Sequence, residues 1–486
     1  METKGFAIST WHDTKDIYNK LDQLMQQPMR PIKRNAMQQY LDYFDNKCRK
    51  SKEMITEAKQ YIPGGVQHNL AFNYPYPLVM NKAEGAYLWD IDGNKYIDFL
   101  QSGGPIILGN NYEPVREKVI DLLNDCGPVT GLFHEYEYKI AKLINKHMPA
   151  VEMFRMLGSG TEAVMAAIRI ARLATGKKKV IKIGGAYHGW SDQMVYGLKI
   201  PGTGRFEAHG IPRASTRHTQ EVKPNNLGAL RRQLQRNKLM GGTASVIVEP
   251  VGPESGTRPI YKDYNREVRK LCDEFDTLLI FDEVVTGFRM GLGGAQGYFD
   301  VKPDLTVFGK VIAGGYPAAG GIGGRRELIE RLAAGLESGK KRAYVGGTLA
   351  ANPLSALAGY YTILEIEKTN ACKIAGKAGD RLTNGLNELI AKYKLPFVAY
   401  NQGSICHLET AAAMFVKLGL NIFSALDEIK KRKHMMEEMG AAYMAEGIVS
   451  LAGSRLYTSL ADTDDVIDDA LERFERVFQN IEGVGV

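Results

Sequence analysis

Asp282 closes the apolar run "LLIFD", and Lys310 closes the next one, "LTVFGK". A carboxylate and an amine set side by side on apolar backbone make either a buried ion pair or the two ends of a site for a ring that needs an acid partner and an amine. A third group lies upstream. "RMLGSGTEAVMAAIRIAR" passes from a strand-like stretch through Gly158-Ser159-Gly160-Thr161 into a helical one. Small residues there let backbone N–H groups, two hydroxyls and the positive end of a helix converge on an anion. The same residues also make an ordinary glycine-rich helix start capped by Ser or Thr, and no Lys follows the last Gly as a Walker-type loop requires. "IGGAYHGW" places Tyr187 and His188 just past another strand-like run. An aromatic face there could cover a planar ligand, although a Tyr in such a place also serves as plain core.

The elements that must position these residues follow from the alternation along the chain. From about residue 110 to 345, apolar strand-like runs ("KVIKIGG", "ASVIVEP", "LLIFDEV", "LTVFGK") alternate with amphipathic stretches ("TEAVMAAIRIARLATG", "YNREVRKLCDEF"). That order predicts an α/β fold with a mainly parallel sheet covered by helices on both faces. Ligands in such sheets sit beyond the carboxyl ends of the strands, so Asp282 and Lys310, ending successive strands, point to one crevice. Residues 1–50 read as a peripheral helical extension. Residues 51–110 read as a segment packing with a small domain, 111–350 as a large domain, and 351–486 as a smaller α+β domain. "GAYLWDIDGNKYIDFL" carries a hairpin turn at Asp92-Gly93-Asn94, and Thr463 is placed to cap a final amphipathic helix.

Composition bounds the function. A chain of 486 residues, 44% hydrophobic and 24% charged, has material for a large core. Its net charge of +7 is small and dispersed, which argues against nucleic acid, and the basic runs "GKKKV" and "KKRKH" read as solvated helix ends. Five cysteines, odd in number and without CxxC spacing, support neither a disulfide framework nor a zinc site and fit a reducing, cytoplasmic compartment. No metal site is expected. A charged N-terminus and the lack of long apolar windows argue against export and membrane insertion.

Gathered in one crevice, these groups match what pyridoxal 5'-phosphate needs: a phosphate cup, a stacking face, a carboxylate for the pyridine nitrogen and an amine for the aldehyde. Asp282 would keep the nitrogen protonated, and Lys310 would hold the aldehyde as a Schiff base and later move protons.

The motifs "EGAYLWDIDGNKYIDF", "GPIILG", "RMLGSGTEAVMAAIRIAR", "GAYHG", "FDEVVTGFR", "LGGAQGYF", "PDLTVFGKVIAGGYP" and "GGTLAANPL", in that order over about residues 60 to 480, resemble the class III aminotransferases, closest to the glutamate-1-semialdehyde aminomutase branch. The resemblance implies the type I fold of pyridoxal-phosphate-dependent transferases, like that of aspartate aminotransferase. It implies Ser159, Gly160 and Thr161 on the phosphate, Tyr187 stacked on the ring with His188 beside it, and Glu249 near the substrate side. It further implies Asp282 on the pyridine nitrogen, Val284 against the other ring face, and Lys310 as the Schiff-base lysine. Thr348 in "GGTLAANP" matches a residue that reaches the phosphate of a neighbouring subunit, which implies a homodimer with shared sites.

Departures from the aminomutase pattern bear on the substrate. After "PGGV" the carboxylate-holding Arg is missing and the chain reads Gln67-His68-Asn69-Leu70. "GSWGP" becomes Ser102-Gly103-Gly104-Pro105, "QFEALF" becomes "GSRLYTS" with Arg455, and the Asn before the phosphate Ser becomes Gly158. These changes favour an aminotransferase that exchanges an amino group between a small-molecule donor and an oxo acceptor. An aminomutase or an amino-acid racemase or epimerase remains the alternative, since both need the same Asp282 and Lys310. Arg455, or His68 with Gln67, is the expected partner of a substrate carboxylate; Arg289 of "TGFR" sits in a motif common to members with many substrates.

Overall fold

The computed structural model describes residues 5–127, 129–333, 341–411, 413–416 and 422–484. The chain divides into two compact units, one of Met1–Ala7 with Glu113–Cys372 and one of Ile8–Tyr112 with Lys373–Val486.

The first unit is built on a seven-stranded sheet. In spatial order its strands are Met153–Leu157, Gly320–Gly324, Leu305–Gly309, Leu278–Asp282, Thr243–Val248, Lys179–Ile183 and Thr219–Val222. Gly320–Gly324 runs antiparallel to both of its neighbours, and the other pairings are parallel. The mainly parallel sheet expected from the alternation is therefore present. Thr243–Val248 is buried at every position, as β-branched strands are when both faces of a parallel sheet are covered. The helix Gly160–Thr175 packs on this sheet through Ala163, Ala166, Ala167 and Ala171, whose short side chains let the helix approach closely. Ser159 caps its start by accepting the N–H of Glu162 at 3.2 Å, and Gly176, at φ +69°, ends it in the left-handed conformation. Asn352 caps Pro353–Thr369 in the same way, accepting from the N–H of Ser355 at 3.0 Å.

The second unit holds a four-stranded sheet (Met80–Glu84, Tyr87–Asp90, Lys95–Asp98, Ile448–Val449) and a three-stranded one (Val398–Gln402, Ile405–Glu409, Arg455–Tyr457). The expected hairpin is there: the Asp90 carboxylate accepts the N–H groups of Asp92 and Asn94 at 3.0 and 2.8 Å around Gly93. The helices Thr14–Gln26 and Arg34–Lys47 are not peripheral. Ile17, Leu21 and Leu24, and Met37, Tyr40 and Phe44, form apolar stripes that enter the same core as Phe474 and Phe478. Two smaller expectations are corrected. Thr463 occupies the cap position of Asp464–Gln479, but its side chain makes no capping hydrogen bond. "KKRKH" lies inside the helix Ile422–Ala445 rather than at an end, and Arg432 is buried, donating to Glu428 and to the carbonyl of Ala411.

Candidate active site

The parallel strands carry the candidate residues at their carboxyl ends. Asp282 is the last residue of its strand, and its neighbour strand, registered Asp282 to Val307, ends at Gly309 immediately before Lys310. Glu249 follows Thr243–Val248, Ser159 follows Met153–Leu157 by two residues, and Tyr187 follows Lys179–Ile183 by four. The expectation that Asp282 and Lys310 share an edge follows from this register. Lys310 sits at φ +51°, a left-handed conformation uncommon outside glycine and a mark of imposed geometry.

Adjacent carboxylates on this strand end part company because successive side chains alternate faces. Glu283 is fully buried and accepts from the N–H groups of Ala295 and Gln296 (2.7 and 3.0 Å), the Gln296 amide (3.1 Å) and the Thr286 hydroxyl (3.0 Å). It fastens the start of the helix Gly294–Phe299. Asp282 is turned the other way. Its Oδ1 accepts the N–H of Val284 at 3.1 Å and its Oδ2 accepts Nδ1–H of His188 at 2.6 Å. Burial pushes the His188 imidazole below its ordinary proton affinity and Asp282 opposes this, so the ring is neutral near pH 7 with its proton on Nδ1. His188 Nε2 is buried with no hydrogen-bond partner among the described residues.

Close approaches knit these residues together. A Cβ on Gly160 would lie 2.9 Å from Val284 Cγ2, and one on Gly309 would lie 2.8 Å from Val284 Cγ1. Val284 is thus seated between the start of the Gly160–Thr175 helix and the residue before Lys310. Gly189, at φ +81°, presses its backbone on Thr161, where a Cβ would meet Cα at 2.8 Å. That contact lays the Tyr187-His188 loop directly over the Ser159-Gly160-Thr161 turn. Tyr187 itself is 52% exposed, so its ring is not the core residue that a Tyr there could have been. Glu162 turns back to accept the N–H of Gly158 at 2.8 Å.

Glu249 is held by backbone. It accepts the N–H of Tyr187 at 2.9 Å, that of Glu254 at 2.8 Å, that of Ser255, and the Ser255 hydroxyl at 3.0 Å. Glu254 and Ser255 both lie at φ +49°, an arrangement in which successive N–H groups form an anion-binding hollow. Burial, followed by the nearby Asp282 charge, pushes the Glu249 carboxyl up to about 7. Nothing in the sequence marks Glu254 and Ser255, because neither is a glycine.

The remaining expected residues lie elsewhere. Thr348 is exposed beside a groove of the same unit lined by Phe133, Arg155, Leu332 and Ala351. Gln67, His68 and Arg455 belong to the other unit. Gln67 and His68 are exposed, with His68 Nδ1 accepting the N–H of Leu70 at 3.1 Å, and Arg455 is 9% exposed on the strand opposite His407. Among the described residues no cluster of His, Cys, Asp or Glu could hold a metal ion, and no helix is long and apolar enough to cross a membrane.

A family model described as aminotransferase class III matches residues 71–478. The chain belongs to the class III aminotransferases. Among solved structures, an ω-transaminase from Sphaerobacter thermophilus is similar at 25% identity and a TM-score of 0.77, over 90% of this chain and 99% of that one. A β-phenylalanine aminotransferase from Variovorax paradoxus is 26% identical over 91% of this chain and 96% of its own, with a TM-score of 0.77. A glutamate-1-semialdehyde aminomutase from Pseudomonas aeruginosa PAO1 shares the fold, with a TM-score of 0.77 at 21% identity over 95% of this chain and 99% of that one. The sheet is that of the type I fold, and the class III enzymes work with pyridoxal 5'-phosphate. Two observations fit that group: the glycine-lined cradle around Val284, and a buried carboxylate, Asp282, oriented by a neutral histidine.

Proposed function

We propose that this class III enzyme transfers an amino group between a small-molecule amino donor and an oxo acceptor. Ser159, Gly160 and Thr161 take the cofactor phosphate with the N–H groups of the helix start, Tyr187 and Val284 flank the ring, and Asp282 accepts the pyridine N–H. When bound, pyridoxal phosphate supplies an electron-withdrawing ring that weakens the substrate's Cα–H bond. Lys310 Nζ would hold the cofactor's aldehyde carbon and, when free, would take the proton from the substrate's Cα and return it to that carbon. His188 orients Asp282 through Nδ1–H, and Glu249, near the substrate side, holds the backbone of Tyr187. The observation that carries this reading is the register of the two central strands, which sets Asp282 and Lys310 on one edge of the sheet.

The substrate carboxylate is assigned to Arg455 or to His68 with Gln67. Loss of the Arg after "PGGV" and of the Trp from "GSWGP" argues for exchange between two substrates over transfer within one. A homodimer completes the site. Thr348 lies in a region where Leu132 and Phe133 are 71% and 77% exposed and Leu349 is 63% exposed, apolar surface that a second copy of the chain would cover. Five free cysteines, four of them buried, fit the reducing cytoplasm.

The test is a screen of single amino acids and amines, each with 2-oxoglutarate or pyruvate, in deuterated water. Amino transfer to the acceptor, with an oxo product from the donor, is the expected result. Deuterium at an inverted Cα with no oxo product would make the protein an epimerase, and rearrangement within one substrate would make it an aminomutase.

A further inference from the structure

Lys182 is the fourth residue of the strand Lys179–Ile183, 0% exposed in the middle of an otherwise apolar run. A buried ammonium is costly unless every N–H is matched, and here they are. Its Nζ donates to the carbonyl oxygens of Ala186 (2.8 Å), Tyr196 (2.7 Å) and Met194 (3.4 Å). All three acceptors lie in the loop that leaves this strand, and the first of them immediately precedes Tyr187. The loop is closed around the same point by Gly185 N–H on the carbonyl of Gly197 and Gly184 N–H on that of Val222, both at 2.8 Å.

The charges facing Lys182 come from every neighbouring element of the sheet edge. Glu221 stands in register on one adjacent strand, Glu249 follows the other, and Asp282 ends the strand beyond it; all three favour the ammonium, while burial opposes it and pulls Lys182 down to about 8. The ammonium in turn disfavours a proton on His188. A neutral amine has only two N–H bonds and no charge to set against Glu249 and Asp282.

We infer that Lys182 is a positioning residue of this site: its ammonium ties down the loop carrying Tyr187 and His188 and sets a fixed positive charge beside the carboxylates of Glu249 and Asp282. This rests on the reading of Tyr187, His188 and Asp282 as cofactor groups. Lys182 itself touches neither cofactor nor substrate. It acts by holding the stacking face in place and by keeping His188 neutral, so that the His188 proton stays on Nδ1, toward Asp282.

The experiment uses cofactor-free wild type, Lys182→Met and Lys182→Arg. Pyridoxal phosphate affinity is read from quenching of intrinsic fluorescence at pH 7, and unfolding midpoints are read from pH 7 to 10.5. Lys182→Met is expected to bind pyridoxal phosphate at least ~10-fold more weakly, the scale of one lost charge-assisted hydrogen bond. Lys182→Arg, which keeps the charge, should stay within ~3-fold of wild type. The folded-state proton affinity of Lys182 is depressed, so the unfolded chain holds more protons between pH 8 and 10.5. Wild type should gain relative stability as pH rises through that window, and Lys182→Met should lose that gain. Binding by Lys182→Met within twofold of wild type overturns the inference, as does an equal loss in the Arg and Met variants. If Lys182→Met does not fold, the Arg variant decides, with affinity within ~3-fold supporting the inference and a ~10-fold loss overturning it. Failure of wild type itself to bind pyridoxal phosphate would instead fault the assignment of the site.

Discussion

Replacing Glu249 with Gln isolates the electrostatic cost of the buried carboxyl beside Asp282. Burial and the Asp282 charge raise Glu249 from its ordinary 4.5 to about 7. A folded-state value raised above the unfolded one means a contribution fully present below pH 4.5 and lost as pH rises toward 7. At 1.36 kcal/mol per pH unit, the ionised wild type should therefore be about 3 kcal/mol less stable above pH 7 than it would be with a neutral group there. Gln cannot ionise. It does set an amide NH2 against one or more of the four donors that Glu249 accepts, which costs about 1–3 kcal/mol at any pH. The pH-independent loss cancels when two pH values are compared. Urea unfolding of the cofactor-free proteins at pH 5 and pH 8 should show the variant gaining on wild type by about 2.5 kcal/mol between the two. A difference that stays flat with pH, or that moves the other way, would refute the claim that Glu249 is held as a high-affinity proton site.

Asp282→Ala should lower kcat by at least ~10²-fold, the scale of one preorganised electrostatic partner, and an effect confined to KM in steady-state assays would contradict its role. Gly320→Ala puts a Cβ 2.5 Å from the backbone N and C of Ser159; the Ser159-Gly160-Thr161 turn must shift, so cofactor affinity by equilibrium dialysis should fall while Gly440→Ala, inside the helix Ile422–Ala445 with open space at that position, should leave it unchanged. Mixing Lys310→Ala with Thr348→Ala subunits should restore part of the activity if Thr348 serves the neighbouring site, and light scattering that finds a monomer would dispose of the shared site. Arg455→Met should cost an amino acid about 1.5–3 kcal/mol in kcat/KM and spare the matching simple amine, and equal losses on both would make Arg455 a support of the fold.

The parts legible in the sequence are those where a local pattern carries the geometry. The runs ending at Asp282 and Lys310 alternate with helical stretches, and in a right-handed parallel arrangement that order leaves their carboxyl ends on one edge. Asp92-Gly93-Asn94 was readable as a turn because the Asp90 carboxylate and the positive φ of Gly93 act within five residues. Features made by distant contacts were hidden. Ile17, Leu21 and Leu24 sit among polar residues, and only the fold shows that their stripe is core. Glu254 and Ser255 adopt positive φ without being glycines, held by a carboxylate six residues or fewer away whose own orientation depends on the loop after Ile183. Lys182 interrupts an apolar strand in plain view, but its three carbonyl partners come from a loop with no pattern of its own. Thr463 shows the reverse: the right residue at a helix start, with a side chain that makes no capping hydrogen bond.

The central claim is that Lys310 is the residue that joins pyridoxal phosphate. Holoprotein reduced with borohydride, which fixes a carbon–nitrogen double bond as a stable amine, should be digested and its peptides mapped by mass spectrometry. The pyridoxyl group is expected on Lys310, with none on Lys182 or the surface lysines, and Lys310→Ala should yield no labelled peptide. A label confined to another lysine, or none in a wild type that retains the cofactor, would contradict the account.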